Sequence, residues 1–278
     1  MQKKLLQLYP DYCEKISTQG LYLAQQLQQL GTTAAPFVYA NFLSSLDGRI
    51  ALEDANHRTY IPKRIKTASD FGLFMELQAQ ADCIITHGGY MRALAEGLLG
   101  NVLQVNDKDL VEWRRNNGLT PQPAVIIASA GLNFSVHAGI QDAAQSVYIA
   151  TGKNADPERI RYWQNLGYRL LFTGEDRNVQ GAPLIHALSG LGYKTIYLVA
   201  GPQMLDTMIR DKQLSRLYLS MTHQLIAGQD FRTLLSGPIL GAEGNLKLEA
   251  LYYEQDSPPG SGQFFMQFGL PRSADVGT

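Results

Sequence analysis

Short apolar runs that alternate with helical patterns are the feature that most limits how this chain of 278 residues can fold. Each run is brief and ends at a turn or polar residue, which is typical of a buried strand. The runs that follow the first hundred residues lie at 123–128, 146–150, 168–172 and 194–200. Helical spacing lies between many of the runs, and this alternation predicts a largely parallel sheet covered by helices on both faces.

The two ends of the chain depart from this alternation. Residues 246–253 and 263–268 read as strands with no helix between them, so we expect an antiparallel edge at the C-terminal side of the sheet. Leucines at 21, 23, 27 and 30 predict an amphipathic helix. We therefore expect a three-layer α/β/α domain over 36–270, a helical extension over 1–35 and a tail over 271–278. The polar stretch 100–122 predicts an irregular excursion.

Composition narrows the classes of function. A net charge of −1 argues against a broad nucleic-acid or anionic-membrane surface. No apolar run reaches the roughly 18 residues that a membrane span needs. The two cysteines, Cys13 and Cys83, form no CxxC pair, and no metal is expected. The basic N-terminus lacks the long apolar stretch of a signal peptide, so a cytoplasmic location is expected.

An acidic turn follows the first strand. The apolar run 37–43 is broken by Ser44 and Ser45 and then by Asp47-Gly48, a pair that favours a turn. In open α/β sheets ligands gather where strands end, so this turn is a candidate site. A loop that merely caps the strand is the alternative, and the turn by itself does not decide between them.

Basic side chains follow the acidic turn. Lys63 and Arg64 belong to a group of four cations within nine residues, and such a group can hold a phosphate. A solvated loop is the alternative interpretation of the same residues.

Two glycine-bearing corners join later strands to helices. Gly88 and Gly89 follow the run 81–86, and Gly201 precedes Pro202 after the run 194–200. A glycine at such a corner lets backbone approach a ligand, and the helix behind it directs N–H groups at an anion. Many corners of this kind bind nothing.

Three fragments together resemble the pyrimidine reductase family of riboflavin biosynthesis. They are SSLDG at 44–48, LQAQADCIITHGGYMRAL at 77–94 and LVAGPQMLDTMIRDKQLSRLYLSMTHQLIAG at 198–228. The resemblance covers about 36–270 and implies a dihydrofolate reductase-like fold. In bifunctional relatives this reductase domain follows a zinc deaminase, whose His-x-Glu and Pro-Cys-x-x-Cys signature is absent here, so a stand-alone reductase is expected.

The resemblance implies NADPH-dependent reduction of 5-amino-6-(5-phosphoribosylamino)uracil, in which the ribosyl group becomes ribityl. It also implies a small phosphorylated pyrimidine as substrate and a homodimer as the assembly. The nicotinamide would supply hydride, and the protein would supply orientation and charge.

Site residues carry over from the resemblance one at a time. Asp47 and Asn41 are expected to orient the group that accepts hydride. Ser45, Lys63 and Arg64 are expected to bind the substrate, the two cations at its phosphate. The residues expected to line the cofactor are Gly88, Gly89, Tyr90, Ser129, Gly201, Pro202 and Gln203.

Some positions depart from the family pattern. Tyr90 stands where Thr is usual, and Ala200-Gly201-Pro202 replaces the usual Glu-Gly-Gly. Pro202 has no N–H to donate to a phosphate. Two alternatives therefore stay open: a related reductase that acts on another pyrimidine or a pterin, and a catalytically degenerate nucleotide-binding dimer.

Overall fold

The computed structural model describes residues 4–56, 58–142, 145–255 and 261–270; the predicted tail, 271–278, lies outside the described residues. The strands are β1 (Lys4–Tyr9), β2 (Cys13–Ser17), β3 (Phe37–Ser45), β4 (Ala51–Glu53), β5 (Thr59–Tyr60), β6 (Cys83–His87), β7 (Ala124–Ala128), β8 (Val147–Thr151), β9 (Arg169–Phe172), β10 (Thr195–Leu198), β11 (Arg216–Thr222), β12 (Phe231–Arg232), β13 (Lys247–Glu254) and β14 (Gln263–Gly269). The helices are α1 (Ala68–Gln78), α2 (Gly88–Ala95), α3 (Lys108–Asn116), α4 (Ala138–Asp142), α5 (Pro157–Asn165), α6 (Gly181–Gly190) and α7 (Pro202–Arg210). Within the described ranges, no helix combines the length and the apolar character needed to cross a membrane.

The chain divides into two compact units. The first takes its residues from Met1–Gln25, Tyr39–Leu77 and Leu214–Thr278, and the second from Gln26–Val38 and Gln78–Gln213.

A parallel sheet forms the centre of the second unit. Its strand order is β10-β6-β7-β8-β9, and every neighbouring pair in it is parallel. The middle strand β7 is buried along its whole length because helices follow its neighbours and strands flank both of its edges. A continuous apolar run is what such a strand needs, and 123–128 supplies it. The predicted parallel sheet is confirmed.

The sheet of the first unit is mixed. Its order is β2-β1-β13-β14-β11-β3, in which β3 and β11 run parallel and the other pairs are antiparallel. The antiparallel strands predicted near the C-terminus are therefore confirmed. They do not form the outer edge of this sheet, because β1 pairs with β13 and β2 pairs with β1. A smaller sheet, β12-β4-β5, belongs to the same unit.

The helical extension predicted over 1–35 is wrong for its first half. Residues 4–17 form β1 and β2, and Leu5 is fully buried. The six residues of β1, four of them apolar, are too few for their periodicity to separate a strand from a helix. Pairing with β13 favours the strand conformation, because backbone groups of β1 form hydrogen bonds with a strand that is distant in sequence.

The second half of that stretch is not a regular helix either. Two 3-10 turns, Leu23–Gln25 and Leu27–Gln29, are separated by Gln26, whose φ of 51° is left-handed. Glu76 of α1 accepts hydrogen bonds from the backbone N–H groups of Gly20 (2.5 Å) and Tyr22 (2.8 Å). These tertiary partners replace the intrahelical bonds that an amphipathic helix would have formed.

The stretch 100–122 is also more regular than predicted, because it contains α3. Asp107 caps the helix by accepting hydrogen bonds from the N–H groups of Asp109 (2.8 Å) and Leu110 (3.4 Å). Arg114 on this helix is completely buried. Its guanidinium donates to the carbonyls of Ala79 (3.0 Å), Ala81 (2.8 Å) and Thr120 (2.8 Å), and so fixes the turn that leads into β6.

Replacing Arg114 by Ala is expected to lower the free energy of unfolding by about 4 kcal/mol, because three buried carbonyls lose a charged donor. Urea denaturation of the purified protein measures the change. Arg115→Ala is the matched control, because its exposed side chain lies on the same helix, and we expect it to change stability by about 0.5 kcal/mol or less. Equal stability of the two variants would contradict this role of Arg114.

Candidate functional site

The acidic turn of the first unit lies where two parallel strands end together. Ser45, the last residue of β3, is paired with Thr222, the last residue of β11. After Ser45 the chain reverses, and the N–H of Gly48 donates to the carbonyl of Ser45 (3.0 Å). Gly48 has a φ of +81°, a conformation that glycine adopts without a steric penalty. The predicted turn therefore forms at the end of a buried strand.

Both carboxylate oxygens of Asp47 have partners. Oδ1 accepts from the hydroxyl of Ser45 (2.5 Å), and Oδ2 accepts from the backbone N–H groups of Ile226 (3.1 Å) and Ala227 (2.9 Å). The guanidinium of Arg49 lies 3.1 Å from Oδ2. Asp47 thus ties the end of β3 to the loop that follows β11.

These partners keep Asp47 ionised. Burial raises the pKa of its carboxyl, but the bonds from Ser45 and the loop N–H groups, together with Arg49, outweigh burial and lower the pKa below its usual range. A carboxylate with a lowered pKa is a fixed negative charge near neutral pH. It can orient a polar group but is not a source of protons.

Asn41 and Ser45 lie on the same face of β3, because alternate residues of a strand point to the same side. The Asn41 side chain is partly exposed, and its amide forms no hydrogen bond with the residues that the structure describes. Four residues of strand separate the two positions by about 13 Å, a distance that a nucleotide-sized ligand can span.

The predicted phosphate-binding pair lies beside the same turn. Arg64 Nε donates to the side-chain oxygen of Gln224 (2.9 Å), and the amide of Gln224 donates to the carbonyl of Arg64 (2.8 Å). The N–H of Leu46, next to Asp47, donates to the carbonyl of Gln224 (2.9 Å). Lys63 is exposed in the same 3-10 turn as Arg64. Gln224 was not predicted, because nothing local marks a glutamine two residues beyond a strand.

The glycine corners and Ser129 of the second unit lie at the carboxyl ends of three adjacent parallel strands. Gly88 begins α2 after β6, Gly201 is the N-cap of α7 after β10, and Ser129 follows β7. Because β6 pairs with both β10 and β7, these three turns are neighbours. The structure therefore brings the predicted cofactor residues of this unit together.

The two corner glycines have different surroundings. A Cβ on Gly88 would lie 2.9 Å from the Ser129 hydroxyl and 3.1 Å from the Phe134 ring, so residue 88 is limited by packing. Phe134 in turn stacks on Trp163 at 4.6 Å between ring centroids. Among the residues that the structure describes, a Cβ on Gly201 would meet one atom within 4 Å, Nε2 of His87 at 3.9 Å. The Gly201 backbone therefore faces open space.

His87 lies between these corners and was not predicted as a site residue. It is the N-cap of α2, and its Nδ1 accepts a hydrogen bond from the N–H of Tyr90 (3.3 Å). This bond assigns the proton of the neutral ring to Nε2, on the Gly201 side. Burial and the nearby Arg92 lower the pKa of His87, so the ring is a neutral donor near pH 7. Its place directly before the glycine pair was the available signal.

The polar groups of Tyr90 are used within the chain. Its hydroxyl donates to the carbonyl of Gly100 (2.7 Å) and accepts from the N–H of Val102 (2.9 Å). Cofactor binding by Tyr90 stays a prediction that depends on its ring. Pro202 occupies the first turn of α7 and Gln203 is exposed beside it, so their expected roles also stay predictions.

Comparisons with known proteins identify relatives of this chain. A family model described as the RibD C-terminal domain matches residues 36–258. No match is found among curated protein sequences.

Solved structures share the fold. A pyrimidine reductase-like protein from Corynebacterium diphtheriae has a TM-score of 0.62 and 19% identity, over 88% of this chain and 99% of that one. The yeast Saccharomyces cerevisiae riboflavin biosynthesis reductase Rib7 has a TM-score of 0.55 and 14% identity, over 90% and 99%. RibD from Acinetobacter baumannii has a TM-score of 0.59 and 15% identity, over 86% of this chain and 59% of that one. The predicted fold class is confirmed.

Asp47→Asn is expected to lower the free energy of unfolding by about 1–2 kcal/mol near pH 7, because a charged acceptor of three hydrogen bonds is lost. The folded-state pKa of Asp47 is lowered, so its stabilisation is present above the unfolded pKa and is lost as pH falls through the folded pKa. Urea denaturation near pH 7 and near pH 3 should show the variant and the unchanged protein converging in acid.

Asp230→Asn is the matched control, because Asp230 is an exposed aspartate on the segment that Asp47 helps to fix. We expect its stability to follow that of the unchanged protein at both pH values. A difference for Asp47→Asn that stays constant with pH would contradict the assignment of an ionised, hydrogen-bonded Asp47.

Proposed function

Because this chain belongs to the RibD C-terminal domain family, we propose that it reduces the ribosyl group of 5-amino-6-(5-phosphoribosylamino)uracil to ribityl with NADPH. Membership makes the chain an oxidoreductase of the riboflavin-pathway pyrimidine reductase type. The proposal adds the substrate, the choice of NADPH and the residues that bind each of them. A homodimer and a cytoplasmic location stay predictions.

The open corner at Gly201 is the observation that carries the cofactor half of the proposal. A ligand can approach the backbone there, and the Nε2–H of His87 faces the same space. The helices α2 and α7 begin at these corners, and the N-terminal N–H groups of a helix favour an anion; α7 offers one fewer because Pro202 has no N–H. These donors fit the pyrophosphate of a dinucleotide. When bound, the nicotinamide supplies the hydride.

The residues around the Asp47 turn are suited to bind the substrate, which is the second part of the proposal. The amide of Asn41, which has no partner within the described residues, can donate to and accept from a pyrimidine or a ribosyl hydroxyl. Asp47 presents a fixed negative charge, and Ser45 keeps its orientation through their hydrogen bond. Arg64, held by Gln224, and the exposed Lys63 are the cations for the phosphate.

Turnover tests the function directly. We expect the protein to oxidise NADPH when the phosphoribosylaminouracil is present, and not when a dihydropterin is present. The decrease in NADPH absorbance measures the oxidation. Activity on the pterin alone would reject the substrate and keep the class of reaction. Tight NADPH binding without turnover on any pyrimidine would favour a degenerate nucleotide-binding protein, which the Ala200-Gly201-Pro202 departure makes a real alternative.

Gly201→Ala is expected to raise the NADPH dissociation constant about tenfold or more, because a methyl group would enter the space that the cofactor needs. Gly201 has a φ of −76°, which alanine tolerates, and the new Cβ meets no atom closer than 3.9 Å. The melting temperature of Gly201→Ala should therefore stay unchanged, while fluorescence titration shows weaker binding of NADPH.

Gly88→Ala and Gly190→Ala are the two comparisons. Gly88→Ala should destabilise the fold, because its Cβ would clash with Ser129 at 2.9 Å. Gly190→Ala, at the end of α6 with no atom within 4 Å of its Cβ, should change neither stability nor affinity by much. Unaltered NADPH affinity in Gly201→Ala would contradict the proposed cofactor corner.

A further inference from the structure

Asp70 is a partly buried carboxyl group that the predicted site does not include. It lies in the first turn of α1, in the first unit, and its carboxyl interacts with the hydroxyl of Ser220 on β11. The Oδ1 atom of Asp70 is buried and has no hydrogen-bond partner within the described part of the chain. Burying a carboxyl oxygen without a hydrogen-bond partner destabilises the folded state, so a functional role for Asp70 is worth considering.

The strand register places Asp70 close to the residues proposed to bind the substrate. Ser220 is paired with Leu43, which lies between Asn41 and Ser45 on the same face of β3. Each of these two residues is about 7 Å along the strand from Leu43. Asp70 is therefore on the face that Asn41 and Ser45 share, beneath the end of the strand where the Asp47 turn begins.

The surroundings favour the protonated form of Asp70. Burial raises the pKa of its carboxyl to about 6, and the hydrogen bond from Ser220 lowers it in part. Glu76 is on the same helix, and Ser69, the residue before Asp70, donates to Glu254 of β13 (2.7 Å). Tyr22 and Tyr218 face the same region, with 4.9 Å between their ring centroids. These neighbours add no positive charge that would favour the ionised form.

The proposed reaction needs an acid that the predicted residues do not provide. Conversion of ribosyl to ribityl adds hydride at C1′, breaks the bond between C1′ and the ring oxygen, and leaves that oxygen as a hydroxyl group. One proton must therefore reach the ring oxygen. Asp47 is held ionised, and the amide of Asn41 is not an acid.

We propose that Asp70 is the proton donor to the ring oxygen of the ribosyl group, and that Ser220 positions its carboxyl. The proposal rests on the proposed function. It assigns separate roles to two carboxyl groups of one unit: Asp47 is a fixed charge that orients, and Asp70 delivers the proton.

The first test needs no turnover. Above pH 4 the unfolded chain ionises Asp70 freely while the folded protein resists, so the unchanged protein loses stability as pH rises towards 6. Asp70→Asn lacks this loss, and its melting temperature relative to the unchanged protein should rise by a few degrees between about pH 4 and pH 7. Asp109→Asn, an exposed first-turn aspartate of α3, should show no such trend. A pH-independent difference for Asp70→Asn would overturn the proposal.

The second test measures turnover of the phosphoribosylaminouracil against pH. We expect kcat to fall above about pH 6, and Asp70→Asn to reduce kcat by about 100-fold or more without weakening NADPH binding. Asp109→Asn should keep the full profile. Ser220→Ala should shift the fall to higher pH, because the ionised carboxyl loses a donor, and this variant still tests the proposal if Asp70→Asn fails to fold.

The outcomes separate the two proposals. Active Asp70→Asn with an unchanged pH profile, or a Ser220→Ala profile that does not move, overturns the role of Asp70 and leaves the proposed function in place. An unchanged protein that binds NADPH but turns over no pyrimidine overturns both.

Discussion

Parallel strand pairing is the constraint on which the candidate site depends. In the second unit it aligns the carboxyl ends of β10, β6 and β7, so that three turns from distant parts of the sequence become neighbours. In the first unit the pairing of β3 with β11 brings the Asp47 turn to the loop whose N–H groups bind its carboxylate. Neither cluster forms unless the strands share a direction, because antiparallel pairing would send alternate turns to opposite edges.

Within this frame, charge is distributed by local hydrogen bonding. Asp47 is surrounded by donors and stays ionised, whereas desolvation raises the pKa of Asp70 to about 6. His87 is kept neutral by burial and by Arg92. The two carboxyl groups of the first unit therefore titrate in separate pH ranges, because the pKa of Asp47 is lowered and that of Asp70 is raised to about 6. Such a separation of pKa values is what acid–base chemistry at one pH requires.

The sequence predicted those features whose causes are local. Buried runs such as 123–128 predicted parallel strands. Asp47-Gly48 and Gly201-Pro202 predicted turns, because the local conformational preferences of these residues favour a turn. The strands β1 and β2 were missed because β1 is selected by pairing with β13, more than two hundred residues away. Gln224 and His87 were missed for the same reason: their partners, Arg64 and the Gly201 corner, become neighbours only after the sheets form.

The pairing of β1 with β13 has a consequence for any shortened form of this protein. The family match begins at residue 36, so a fragment cut there would lack β1 and β2. The outer backbone groups of β13, around Leu251, Tyr252 and Tyr253, would then lose their partners. An uncovered strand edge of this kind can pair with strands of other chains, so β1 and β2 protect β13 from self-association between sheets.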